Sequence, residues 1–169
     1  MNIYDVIVVG GGHAGCEAAH ASARLGSKTL LITMKIDGIG QMSCNPAIGG
    51  IGKSHLAREV DALDGLMCKA ADDASLQSRV LNSSKGAAVR ATRIQTCRDE
   101  YKKAMQKDIL NHENLTVLQS TVKSVKFSKN RAEGVVIETG DYIKSECVVL
   151  TAGTFLDGVI HLSLIHISE

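Results

Sequence analysis

Aromatic residues make up only 3% of the 169 residues, and tryptophan is absent. This argues against stacking of bases on aromatic platforms as the main binding mode of this chain. A dominant charge sign is lacking too, since 19 Lys and Arg face 18 Asp and Glu for a net of +1. No global field draws in nucleic acid or an acidic membrane, so any such contact must be a local patch. The five cysteines (Cys16, Cys44, Cys68, Cys97 and Cys147) are odd in number and contain no C-x-x-C pair. This argues against a disulfide framework and a zinc module, and leads us to expect a reducing setting, the cytoplasm or an organellar matrix, and no bound metal. No apolar run approaches the roughly 20 residues that span a bilayer. No basic stretch followed by an apolar one opens the chain, so neither a signal peptide nor a membrane role is expected. Proline occurs once, at Pro46.

The residues that are present read as one α/β domain. Hydrophobic residues form 44% and charged residues 22%, enough for a globular core. Tyr4 to Val9 is a short apolar, β-branched run, expected as a strand buried on both faces. Cys16 to Leu25 is rich in alanine and reads as a helix stopped by Gly26. Lys28 to Thr33 is a second buried strand, which completes a βαβ unit. Met34 to Gly52 is a long glycine-rich loop, of a kind usually functional in a compact domain. Lys53 to Leu66 shows helical periodicity, with Leu56, Val60 and Leu63 on one face, and Arg98 to Leu110 reads as another helix. From Leu115 the period becomes that of strands: Thr116 to Leu118, Val122 to Phe127, Gly134 to Glu138 and Tyr142 to Lys144. Lys129-Asn130 and Gly140-Asp141 are the turns between them. Cys147 to Thr151 is a buried return strand beside the first. The expected architecture is Rossmann-like, with a small antiparallel β-ribbon insertion.

Gly10-Gly11-Gly12-His13-Ala14-Gly15 fits G-x-G-x-x-G between the first strand and the first helix, the context that gives this pattern its meaning. The first glycine permits the tight turn, the second lets backbone approach a pyrophosphate, and the third lets helix and strand pack closely. The helix N-terminus then offers free N–H groups to the phosphates. The acidic residue expected about 20 positions later is replaced by Thr33 or Met34. Asp37 is the nearest carboxylate that could serve the ribose. Thr151-Ala152-Gly153 closes the return strand, either as a second backbone approach to the cofactor or as an ordinary strand-end turn.

Ala47 to Ser54 imitates a P-loop, but Met42-Ser43-Cys44-Asn45-Pro46 before it is polar and broken by proline. A P-loop needs a buried strand there, so nucleoside-triphosphate hydrolysis is rejected. Cys44 lies in the glycine-rich loop, near a helix start expected around Gly52. It is either an activated thiolate or an inert buried thiol. The other four cysteines are expected to be packing residues. The next cysteine is Cys68, so the paired thiols of a flavin disulfide reductase are absent. Lys85, Arg90, Arg93 and Arg98 form a basic stretch that either meets phosphate or is a solvated face.

Gln41 to Lys53, taken with Gly10 to Gly15, Asn82 to Gly86 and Val89 to Arg93, closely resembles the MnmG (GidA) family. The likeness runs from about Asp5 to His161. It implies a FAD-binding domain of the two-dinucleotide-binding-domain flavoprotein type. It also implies a dimeric enzyme that adds a carboxymethylaminomethyl group to C5 of the tRNA wobble uridine. That enzyme works with an MnmE-type GTPase, NADH and methylene-tetrahydrofolate. The resemblance places FAD contacts on Gly10 to Gly15 and on Val122, and a catalytic cysteine on Cys44, whose thiolate assists covalent chemistry on the uracil or at the flavin. Two departures stand out. Ala87 replaces the usual proline, and Leu162 to Glu169 does not continue the family's glycine-rich sequence. Residues 1–161 are therefore expected to be a partial FAD-binding domain and 162–169 a foreign tail. The alternatives are a non-catalytic FAD-binding fragment and the related folate- and FAD-dependent tRNA methyltransferase TrmFO, whose pattern lacks the Ser-Cys-Asn-Pro loop.

Overall fold

The computed structural model describes residues 3–155. The expected foreign tail over 162–169, and the expected boundary at 161, lie outside them. The chain opens with β1 (Ile3–Val9), α1 (His13–Arg24) and β2 (Thr29–Thr33). β1 and β2 run parallel, paired from Val6 with Thr29 to Val9 with Ile32. Every residue of β2 is buried, whereas β1 is buried at its centre and exposed at Ile3 and Asp5. α1 buries Gly15, Cys16, Ala19 and Ala23, a stripe of small residues that lets it lie close to the sheet. Gly26, at φ 91°, turns the chain out of the helix.

Next come β3 (Ala47–Gly49), α2 (Lys53–Ala62), α3 (Leu66–Asp73), β4 (Ser75–Leu81), β5 (Ala91–Thr96) and α4 (Arg98–Leu110). β6 (Leu115–Gln119), β7 (Val122–Ser128), β8 (Arg131–Ile137) and β9 (Tyr142–Leu150) follow. The large sheet has the order β6-β2-β1-β9-β8-β7 and the small one β3-β5-β4. β9 is parallel to β1 and antiparallel to β8. Alternating side chains of the central strands feed two cores. Val8 and Leu31 pack with Tyr101, Met105 and Ile109 of α4. Ile7, Leu30 and Ile32 pack on the other face with Val135 and Ile137 of β8.

Several expectations are corrected. The helix expected over 53–66 is two helices, parted at Asp64, whose φ is 66°. The Glu17 carboxylate accepts the Leu66 and Met67 amides at 3.0 and 2.6 Å, so α1 caps a fresh helix there. The face carrying Leu56 and Leu63 is exposed, at 65% and 75%, and α2 instead buries Ser54 and Ala57. The small sheet was not foreseen: β4 is exposed at six of its seven positions, so no apolar alternation marks it. Residues 142–150 form one strand rather than two, and its C-terminal part is open. Cys147, Val149 and Leu150 are exposed, so Cys147 is no packing residue and the return strand is not buried. The polar Ser145-Glu146 step that splits the run in sequence is accommodated in the strand, since Ser145 is buried and Glu146 pairs with Arg131.

Candidate functional site

The end of β1, the start of α1 and the end of β9 meet at the glycine turn. Gly10 has φ 110°, a conformation that disfavours any side chain, and donates its N–H to the Ile32 carbonyl at 2.8 Å. A Cβ on Gly15 would overlap the Gly10 carbonyl oxygen, so helix and strand approach as closely as a glycine there allows. Thr151 closes the turn from β9. Its N–H and hydroxyl donate to the Val9 carbonyl at 2.9 and 2.8 Å, and the hydroxyl also reaches the Gly10 carbonyl at 3.2 Å. Ala152 and Gly153 continue this edge, Gly153 with φ 58°.

Gly12 is the open member of the set. A Cβ built on it would meet nothing within 4 Å, so this backbone faces free volume. Gly12 is also the N-cap of α1, has no side chain with which to cap, and is followed by no acidic residue in the first turn. The first helical bond runs from Cys16 N–H to the Gly12 carbonyl at 2.9 Å, so the amides before Cys16 have no acceptor inside the helix. A row of free N–H groups at the positive end of a helix, beside open space, suits a diphosphate. Ala14 is exposed in the same turn. His13 is half-buried, its ring centre 5.6 Å from that of Tyr101, and its Nε2 is buried without a hydrogen-bond partner among the described residues. Burial, then the Lys53 ammonium, lower its pKa, so it adds no fixed positive charge near neutral pH.

Two further strand ends border the turn. A Cβ on Gly11 would touch Thr33 Oγ1 at 2.8 Å, which places the end of β2 directly behind the glycines. The Thr33 carbonyl in turn accepts the Ser120 amide at 2.9 Å, bringing the segment that leads into Val122 to the same edge of the sheet. The Val122 side chain packs in the second core. No carboxylate stands at Thr33 or Met34. Asp37 is bound by Lys102 Nζ at 2.8 Å, a contact that holds its carboxyl below the usual range.

The glycine-rich loop starts at this turn, since Gly40 donates to the Gly11 carbonyl at 3.1 Å. It carries Cys44 to one end of the small sheet, where Thr96 N–H donates to the Pro46 carbonyl at 2.8 Å and the Arg98 guanidinium donates to the Cys44 carbonyl. The Cys44 side chain is exposed, with Ser43 Oγ 3.9 Å from its sulfur, so it is not the buried thiol that the sequence left open. The expected helix does begin at Lys53. Its amides are engaged locally, Ser54 with Gly50 and His55 with Gly52, and β3 lies between it and Cys44 in the chain. The P-loop imitation resolves into sheet packing. Ala47 to Gly49 is β3, a Cβ on Gly49 would overlap the β5 backbone at Thr92, and Lys53 Nζ donates to the Ala47 carbonyl at 3.3 Å.

Sequence reasoning missed two residues. Cys16 donates its thiol to the Gly11 carbonyl at 3.4 Å from beneath the turn, and burial pushes its pKa up to about 12. Its place one residue after Gly15 was the sole signal in the sequence. Arg98 was read as part of a basic stretch, and nothing in the sequence says that it reaches the Cys44 carbonyl. Among the described residues no group of three His, Cys, Asp or Glu could hold a metal ion. No described helix is long and apolar enough to cross a membrane.

Known proteins share this fold. The structure of GidA from Aquifex aeolicus in its form I crystal is 47% identical and superposes with a TM-score of 0.90 over 95% of this chain and 27% of that chain. In the form II crystal the TM-score is 0.86, over 89% and 25% of the two chains. The present chain thus spans about a quarter of the length of these relatives. The GidA-related protein from Thermus thermophilus, at 20% identity and a TM-score of 0.58, matches over 90% of this chain and 54% of that one, a likeness of fold alone. PqsL, a probable FAD-dependent monooxygenase from Pseudomonas aeruginosa, likewise shares the fold, at 17% identity and a TM-score of 0.63 over 95% and 47% of the two chains. The family model described as glucose inhibited division protein A matches residues 5–169. With the glycine turn, the Thr151 edge and the Cys44 loop in place, the chain belongs to the glucose inhibited division protein A family.

Proposed function

We propose that this chain is the FAD-binding part of an enzyme that modifies C5 of the tRNA wobble uridine, installing a carboxymethylaminomethyl group. The observation that carries the FAD assignment is the uncapped start of α1 beside the open Gly12 backbone. Gly10 to Gly15 would hold the diphosphate, with Thr151, Ala152 and Gly153 along one side and the backbone entering Val122 along another. When bound, FAD supplies the redox chemistry, with NADH as reductant and methylene-tetrahydrofolate as one-carbon donor. Burial lowers the His13 pKa in the first turn and raises that of Cys16 beneath it. Cys44 is the thiol exposed to substrate, and Arg98 positions its backbone without consuming the sulfur. In this reading Cys44 acts as a nucleophile on the uracil. An MnmE-type GTPase and a second copy of the chain complete the assembly.

The test is Cys44→Ser in the full-length protein. Flavin absorbance should persist while wobble-uridine modification, read by nucleoside mass spectrometry of tRNA, falls to background. Modification at the normal level would remove Cys44 from the chemistry. A second reading rests on the quarter-length match to the Aquifex structures. In it the 169 residues alone bind FAD without catalysing the reaction, and purified alone they would be yellow but inactive.

A further inference from the structure

The net charge of +1 hides a strongly divided chain. Segments 38–58 and 74–98 contain no Asp or Glu, yet hold Lys53, Arg58, Arg79, Lys85, Arg90, Arg93 and Arg98. Seven of the 19 basic residues and none of the 18 acidic ones lie there, which leaves the remainder at −6. In the structure these two segments are one lobe: all three strands of the small sheet, the Cys44 loop and the first part of α2. Among the described residues none of the seven forms an ion pair. Lys53, Arg58 and Arg98 donate to neutral oxygens of Ala47, Thr92 and Cys44.

Arg79 and Arg93 are direct cross-strand partners on β4 and β5. Like charges set opposite one another destabilise a sheet. Here no carboxylate of either strand relieves them, and both side chains are exposed. Gln77 and Gln95 form a neighbouring pair in the same ladder, also exposed. The other side of β5 is the covered one, since the Thr92 hydroxyl accepts from Arg58 of α2 at 3.1 Å. Alternation therefore puts Arg79, Arg93, Gln77 and Gln95 together on the face away from α2. Two guanidinium forks flanked by amides and free of carboxylates complement phosphate oxygens. Arg90 and Lys85, in the β4–β5 connection, extend the same charge.

We propose that this face of the small sheet grips the phosphate backbone of RNA through Arg79 and Arg93, at the sheet whose end carries Cys44. The inference rests on the tRNA reading above and specifies where that substrate docks. The scarcity of aromatic side chains fits a surface that positions the backbone rather than reads bases.

The experiment compares the full-length, FAD-loaded wild type with Arg79→Gln/Arg93→Gln in tRNA binding by fluorescence anisotropy across a salt series. The wild type should lose affinity steeply with salt. The double variant should bind at least about tenfold more weakly near 0.1 M salt, with the slope of log K against log salt reduced by about 1.5 to 2, as expected for two lost phosphate contacts. Flavin absorbance and circular dichroism should be unchanged, and Arg79→Lys/Arg93→Lys should keep the slope. If the double variant is unstable, Arg79→Gln alone should reduce the slope by about 1. An unaltered slope overturns the proposal, as does a loss that appears in FAD binding instead of RNA binding. A wild type that modifies tRNA while the variant keeps its slope defeats this inference alone. A wild type that binds tRNA with the expected slope but leaves it unmodified defeats the functional reading alone.

Discussion

Cys16 and Cys44 are thiols of one chain held in opposite surroundings. Cys16 is fully buried under the glycine turn, its proton shared with the Gly11 carbonyl, while Cys44 stands exposed at the end of the small sheet. The Cys16 thiol has a folded-state pKa of about 12 against an ordinary value of 9.0, with burial as the main cause. A raised pKa means that the folded chain keeps a proton which the unfolded chain gives up. Its contribution to stability is complete below about pH 9 and is lost as pH rises towards 12. Burial shifts Tyr101 in the same direction. Thermal melting should therefore fall progressively above about pH 9, and Cys16→Ala should flatten part of that decline. Equal pH slopes for the two proteins would show that Cys16 is not the linked group. The residues that bind through the backbone were legible from spacing, because three glycines at fixed offsets between a strand and a helix answer to a specific backbone demand. Cys16 and Arg98 were not, because each acts through a contact made only once the chain has folded.

Among the elements, α3 shows how a boundary can be set from a distance. Its first two amides are satisfied by Glu17 of α1, some 50 residues earlier, and Gly65 leaves room for that carboxylate. Removing a charged acceptor from a helix start costs about 1 to 2 kcal/mol. Glu17→Ala should lower stability by that amount in urea denaturation, and Glu17→Gln, which keeps one carbonyl acceptor, by less. An unchanged midpoint for the alanine variant would mean that the cap contributes nothing. Apolar periodicity over 53–66 masked the break there, although Asp64-Gly65 is a turn dipeptide that marks it locally. β1, α1, β2 and α4 could be read, because each carries its own period and its own stop. β4 could not, being exposed almost throughout, and β3 is only three residues long.

At the scale of the molecule, the large sheet divides its work between two faces. Helices fill one side, and the β7–β8 ribbon folds against the other. The glycine turn lies where β1, β2 and β9 end together, so a ligand bound there bridges three strands of the large sheet. Full-length protein stripped of flavin should gain about 2.7 kcal/mol when FAD is added at about a hundred times its dissociation constant, visible as a rise in melting temperature. A melting temperature indifferent to FAD would dismiss the glycine turn as a flavin site.

The pairing of β1 with β9 also has a history in time. Residues 3–9 leave the ribosome well before their second neighbour, which spans 142–150. Until the later strand emerges, β1 can pair only with β2, and its other backbone edge stays unsatisfied. Such an edge, backed by Ile7 and Val8, is a template for adhesion between nascent chains. Translation that stalls before Tyr142 should leave a product that chaperones hold rather than release.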